Sequence, residues 1–286
     1  LIWQKVNYSS LCRRVLQWRA GSLGIYTYSR LVAQVGEEAG FDVAAETVHR
    51  GLWYDLHFRS VPEWVLWTPE IDFPRIQPVA ANVRFIGACV DLERREGQPE
   101  PQRNSSVRHF IYVATGASII SSPVDVAFLR RVIGAFADRS DCEVLISTGS
   151  AEVTKALSDC PSNFTILTFV PQLRALKIAD LIVTHAGSNT FRECLVNVVP
   201  MLAYPREYDQ FGNSARIVRL GVGLRGDRRR DTGDDIRRKA FQILEDPRFR
   251  HRILALKRSV EDVEDSYLRD AVQRAVDRRS HPAPVL

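Results

Sequence analysis

The sequence predicts an α/β protein whose second half is a doubly wound parallel sheet, and three observations predict it. Residues 108–220 alternate short apolar strands with helices, the rhythm that lays strands side by side and covers both faces of the sheet. The helix predicted over 123–138 carries Val126, Leu129, Val132, Ile133 and Phe136 on one face, the helical period of a surface-covering element. The strand over 180–184 runs into His185-Ala186-Gly187-Ser188-Asn189, a small-residue turn that opens a helix. In such sheets the ligand sits at the carboxyl ends of the strands.

The elements follow in order. Residues 11–59 read as mostly helical and loop-like, with an amphipathic helix over 28–35. Trp64-Val65-Leu66-Trp67 reads as a short strand, followed by the proline-bearing stretch 69–78 and a second strand, Val83-Arg84-Phe85-Ile86-Gly87. Residues 91–107 are polar, hold Gly97, Pro99, Pro101 and the cluster Glu93-Arg94-Arg95-Glu96, and form the linker candidate. After it come strands over 108–114, 143–148, 164–167, 180–184 and 199–204, with helices over 123–138, 173–178, 189–197 and 210–220. The tail is helical over 234–244 and again from 248 to about 275. The domains expected are therefore 1–90, a linker at 91–107, the sheet domain at 108–260 and a terminal helix and tail at 261–286.

Composition narrows the class. With 286 residues, 45% hydrophobic and 26% charged, the chain has material for a core and is not disordered, collagenous or a disulfide scaffold. No stretch approaches the roughly 20 apolar residues of a spanning helix, so no integral membrane segment is expected, while peripheral association stays open. The five cysteines form no CxxC pair, which argues against a disulfide framework and a metal site and fits a cytoplasmic protein with cysteines as small buried hydrophobes. The net charge of +5 is spread over arginines interleaved with acids. Arg228-Arg229-Arg230-Asp231 and Arg237-Arg238 read as a solvated face, and no nucleic-acid partner is expected. The chain starts at Leu1 and its one methionine is Met201, so an N-terminally incomplete chain is expected.

The chemistry concentrates at two strand ends. The turn after the 180–184 strand leaves free N–H groups at the positive end of a helix, a place that binds phosphate without further machinery. His185 can donate to an anion, Gly187 allows close approach, Ser188, Asn189 and Thr190 can cap the helix or donate to phosphate oxygens, and Glu193 faces the same mouth. Capping alone would also explain such residues. The next strand reaches the same edge and leads into Asp209-Gln210, an acceptor and an amide suited to sugar hydroxyls, or else a simple N-cap.

Taken in order, His185-x-Gly187-x-x-Thr190-x-x-Glu193, Pro200, Pro205, Asp209-Gln210, Asn213-Ser214-Ala215 and Gly221-Val222-Gly223 resemble the signature of the UDP-glycosyltransferase family. Its members include UDP-glucuronosyl- and glucosyltransferases and bacterial macrolide and carotenoid glucosyltransferases. Phe169-Val170-Pro171-Gln172 matches the aromatic-x-Pro-Gln element of that family, with Phe169 where many relatives have Trp, and residues 110–118 match its first donor-domain strand and Gly/Ser loop. The resemblance covers about residues 62–260.

It implies the GT-B type of α/β fold, two facing Rossmann-like domains, with the N-terminal one partial here. It implies a hexosyltransferase that moves a sugar from a UDP-sugar or dTDP-sugar to a hydroxyl of a small apolar acceptor, with inversion and without metal. The nucleotide sugar is a co-substrate, and no cofactor is expected. Carried over, His185 contacts the diphosphate, and Gly187, Ser188, Asn189 and Thr190 line the phosphate pocket. Ser118 approaches from the other strand, Glu193 binds the ribose, Phe169, Val170 and Gln172 lie near base and ribose, and Asp209 and Gln210 hold the sugar. The family's catalytic base, a histidine early in the acceptor domain, matches none of His49, His57, His109, His185, His251 or His281, so no base is assigned. The alternative is an inactive nucleotide-sugar-binding remnant.

Overall fold

The computed structural model describes residues 62–116 and 123–261, apart from 77 and 98, together with 36–38, 40, 42, 45, 47–50, 56–58, 270 and 273. The helix expected over 28–35, the loop residue Ser118 and nearly all of the 261–286 tail lie outside the described residues.

The chain divides into two compact units, one of residues 1–64 with 78–84, the other of residues 65–77 with 85–286. In the first, β1 (Thr47–Arg50) pairs antiparallel with β2 (Leu56–Phe58), with His49 opposite His57. The helical and loop-like reading of 11–59 is corrected at these strands. Runs of three and four residues contain too few alternations for a two-residue period to show. A second two-stranded ladder joins β3 (Glu63–Val65) and β4 (Val83–Phe85).

The larger unit is built on a six-stranded sheet of β5 (His109–Ala114), β6 (Cys142–Ser147), β7 (Phe164–Leu167), β8 (Leu181–Thr184), β9 (Met201–Ala203) and β10 (Gly223–Arg225). Every pairing is parallel, and the order is β10-β9-β8-β5-β6-β7. Numbered within the sheet this is the 3-2-1-4-5-6 order of a dinucleotide-binding fold. The direction of winding reverses between β5 and β8, and there the carboxyl ends diverge and leave a crevice. Side chains of β5 alternate between two cores: Phe110, Tyr112 and Ala114 face one, Ile111 and Val113 the other.

Helices cover both faces. On the first lie α3 (Gln172–Ile178), α4 (Ser188–Asn197) and α5 (Gln210–Leu220), with Ile253 and Val260 of α7 (Pro247–Glu261) packed behind them. On the second lie α1 (Pro123–Phe136), α2 (Ala151–Ala156) and α6 (Gly233–Glu245). The sequence pattern did not show α2, a single six-residue helix capped by Ser150, nor the three-residue β10. Two readings of surface and core change. Arg228 and Asp231 are buried, Asp231 accepting from Tyr204 Oη at 2.9 Å and pairing with Lys239, while Arg229 and Arg230 are exposed. Cys142 and Cys194 are buried, as small hydrophobes should be, but Cys89 is exposed.

Candidate functional site

A cavity of about 640 Å³ opens at the carboxyl ends of β5 and β8. It is lined by eleven of the twelve residues singled out from the sequence: Phe169, Val170, Gln172, His185, Gly187, Ser188, Asn189, Thr190, Glu193, Asp209 and Gln210. The twelfth, Ser118, is not among the described residues. The topology explains the gathering. In register, Ala114 of β5 lies opposite Thr184 of β8, so the residues that follow each strand, Gly116 and His185, meet across the crevice.

At one end of the cavity stands His185. A Cβ built on Gly116 would come within 2.9 Å of its Nε2, and one on Gly187 within 2.6 Å. Two glycines thus flank the ring tip, and Gly116 also holds φ +91°, a conformation that side chains resist. Ala186, at φ 67°, makes the turn from strand to helix, and its N–H donates to Thr184 Oγ1 at 3.1 Å. Burial lowers the pKa of His185, opposed by the backbone carbonyl side of Ala114 and by the charge of Asp209. Its Nδ1 is buried without a well-formed hydrogen bond.

Beside the ring, α4 begins. Its first N–H, that of Ser188, is taken: it donates to Asp209 Oδ2 at 3.0 Å, and Ser188 Oγ donates to the same oxygen at 2.6 Å. Asn213 Nδ2 donates there as well, at 2.9 Å. Asp209 is thus the start of α5 by position, with no side-chain cap bond of its own, while its carboxylate caps α4. The N–H groups of Asn189 and Thr190 keep no partner among the described residues. Next to Asp209, Gln210 Oε1 accepts from the N–H of Arg206 and Glu207, which fixes the loop and leaves the amide nitrogen over.

At the other end lies Glu193, 3% exposed. Its Oε1 pairs with Arg94, and its Oε2 accepts from Gln172 Nε2 at 2.6 Å. Gln172 Nε2 also reaches Thr190 Oγ1 at 3.2 Å. Phe169, 57% exposed, presents its ring at the rim, close to Gly97.

The sequence pattern missed Arg94, Glu96, Tyr112, Gly116 and Ser147, all of which line the cavity. Tyr112 and Ser147 read as ordinary strand residues. Arg94 and Glu96 sit in the charge cluster of the polar linker, where nothing in the local pattern separates a site residue from a solvated one. The structure folds them onto the sheet domain.

The chain was compared with known proteins. Residues 130–277, more than half of the 286, match the family of the erythromycin biosynthesis protein CIII-like C-terminal domain. An oleandomycin glycosyltransferase of Streptomyces antibioticus is 32% identical over 193 residues, 67% of this chain and 44% of that protein. The NDP-glycosyltransferase YjiC of Bacillus subtilis (strain 168) is 31% identical over 150 residues, 52% of this chain and 37% of that protein. Among solved structures, the glycotransferase of kitacinnamycin superposes with a TM-score of 0.68 at 25% identity, covering 89% of this chain and 62% of that one. The fold is the α/β, GT-B type that the sequence led us to expect. The chain spans less than half the length of these two curated relatives. It belongs to the erythromycin biosynthesis protein CIII-like family of glycosyltransferase C-terminal domains.

Proposed function

We propose that this member of that family binds a nucleoside diphosphate sugar in the crevice between β5 and β8. In the whole protein, the sugar would pass to a hydroxyl of a small apolar acceptor. The observation that carries the reading is one juxtaposition: His185 Nε2, flanked by Gly116 and Gly187, stands beside the N–H groups of Asn189 and Thr190, which have no partner among the described residues. Donors gathered at a helix N-terminus suit a diphosphate. As the glycosidic bond breaks, charge grows on the leaving nucleoside diphosphate, and preorganised donors aimed at that charge lower the barrier.

The remaining assignments run along the cavity. Glu193, with Gln172 and Thr190 beside it, accepts from the hydroxyls of the nucleotide's ribose, and the ring of Phe169 at the rim faces the base. Gln210 and the second carboxylate oxygen of Asp209 lie toward the transferred hexose. The donor is a UDP- or dTDP-hexose, and transfer is a direct displacement with inversion that uses no metal and no cofactor. The acceptor hydroxyl loses its proton to a base that we do not assign to this chain. A cytoplasmic setting accords with this reading, and no described helix is long and apolar enough to cross a membrane.

Calorimetry with UDP tests the site, with binding to the folded protein expected and no binding overturning the assignment. Turnover of UDP-glucose with a phenolic or terpenoid acceptor tests the reaction. UDP binding without any turnover by this chain would replace the transferase with a nucleotide-sugar-binding remnant.

A further inference from the structure

The linker reaches into the cavity. Arg94 pairs with Oε1 of Glu193 through one guanidinium nitrogen and donates to Glu96 Oε1 through two others, at 3.1 and 2.8 Å. The Glu96 carboxylate is 7% exposed and accepts from the N–H of Leu173 at 2.9 Å and of Arg174 at 3.3 Å, so it caps the start of α3. The residue that opens α3 is Gln172, and its side chain holds the other oxygen of Glu193. Both oxygens of one buried carboxylate are therefore fixed by groups that depend on residues 94–96. Arg94 bonds one directly; Glu96 anchors the helix that carries the partner of the other.

A carboxylate oxygen accepts more than one hydrogen bond, so a pair of hydroxyls can still be received there, in an orientation that its partners set. A guanidinium fork bridging two carboxylates is a rigid way to set it. We propose that Arg94 is a positioning residue of the nucleotide site: acting through Glu193, it makes the cavity select a nucleotide with a full ribose over its 2′-deoxy counterpart, and so favours the UDP-sugar over the 2′-deoxy dTDP-sugar of the two donor classes named above. The proposal rests on the nucleotide-sugar reading above and names the part of the donor that the linker controls. No described bond connects Arg94, Glu193 and Gln172 to the Ser188, Asp209 and Asn213 cluster. One described bond does reach the residues near the phosphate, from Gln172 Nε2 to Thr190 Oγ1 at 3.2 Å. A change at Arg94 should therefore leave the Ser188, Asp209 and Asn213 cluster in place.

The experiment compares UDP with 2′-deoxy-UDP by calorimetry, for the wild type, Arg94→Ala and Arg94→Lys, with thermal melts of the unliganded proteins. We expect the wild type to prefer UDP. Arg94→Ala should weaken UDP by about tenfold, as loss of a charge-assisted contact does, and lose most of the preference. Arg94→Lys keeps the charge but not the fork, and should fall between; it carries the comparison if the alanine variant does not fold. An Arg94 variant that keeps the wild-type preference, or binds UDP more tightly, overturns the proposal. So does a wild type that binds both nucleotides equally. A wild type that binds neither overturns the nucleotide-sugar reading itself, a result distinct from the other two.

Discussion

The carboxylate of Asp209 caps the helix of Ser188 rather than its own. One oxygen accepts from both the N–H and the hydroxyl of Ser188, at 3.0 and 2.6 Å, and thereby joins the turn after β9 to the start of α4. Asn213, 1% exposed, donates to the same oxygen and also to the carbonyl of Ala186 at 3.0 Å. The two strand-end loops that frame the cavity are thus one hydrogen-bonded unit. Asp209→Ala should strand three donors and lower stability by about 1–3 kcal/mol, the range for unsatisfied polar groups, read from urea denaturation. A variant as stable as the wild type would show the link to be incidental.

His185 carries the anion end. His185→Ala should weaken UDP by roughly 1.5–3 kcal/mol, the range for a hydrogen bond to a charged group, measured by calorimetry. Burial lowers the pKa of the free imidazole, and a bound diphosphate favours the charged ring. Binding should therefore take up a proton. Affinity should rise as the pH falls from about 8 to about 6, and the alanine variant should lose that slope. A flat profile for the wild type would mean that the neutral ring makes the contact.

Gly187 is small because the ring needs its space. Gly187→Ala places a methyl 2.6 Å from His185 Nε2, closer than any real contact, so the imidazole must swing away. At φ −63° the backbone itself accepts alanine. The expected result is a fold of nearly wild-type stability with UDP affinity close to that of His185→Ala. Full UDP affinity in this variant would show that the ring position does not matter.

Asp72 anchors the segment before β4 onto α5. It accepts from Arg216 at 2.9 Å and from Arg75 at 2.6 Å, and Arg216 in turn lies over the rings of Trp67 and Phe73, 4.5 Å from each centroid. Burial pushes the Asp72 carboxyl up, but its hydrogen bonds with Arg216 and Arg75 outweigh that and hold it below the usual carboxylate value. A depressed carboxylate contributes stability that is complete above its unfolded pKa and disappears as the pH falls through its folded one. Asp72→Asn should cost about 3 kcal/mol near neutral pH by leaving Arg216 without its counter-charge. In strong acid the two proteins should converge, and a constant difference across that range would contradict the account.

The legible part of this protein is the part written in local pattern. Val126, Leu129, Val132 and Ile133 on one face foretold α1, and Phe110 to Val113 foretold β5, because period and apolar runs depend only on neighbours in the chain. The turn from Leu181 to Asn189 showed a helix start by its residue types alone. β1, β2, α2 and β10, three to six residues each, did not announce themselves: they are too short for a period to appear and, unlike the equally short β3, β4 and β9, lie in no apolar run that marks them. Arg228 and Asp231 looked solvated because nothing in an arginine run reveals that Tyr204 and Lys239 close over its end.

By itself the sequence determined the alternation of strands and helices, the order of the site motifs and hence the edge of the sheet where they cluster. Strand order was decided only in three dimensions, and it made β5 and β8 neighbours, set Gly116 against His185 and so created the crevice. The partners of the site's charged groups were likewise tertiary. Asp209 serves Ser188, 21 residues away, and Glu193 is held by Arg94, 99 residues away. Side chains that far apart in sequence have no periodic relation to each other. Their pairing follows from which loops the folded sheet brings within about 3 Å, the reach of a hydrogen bond.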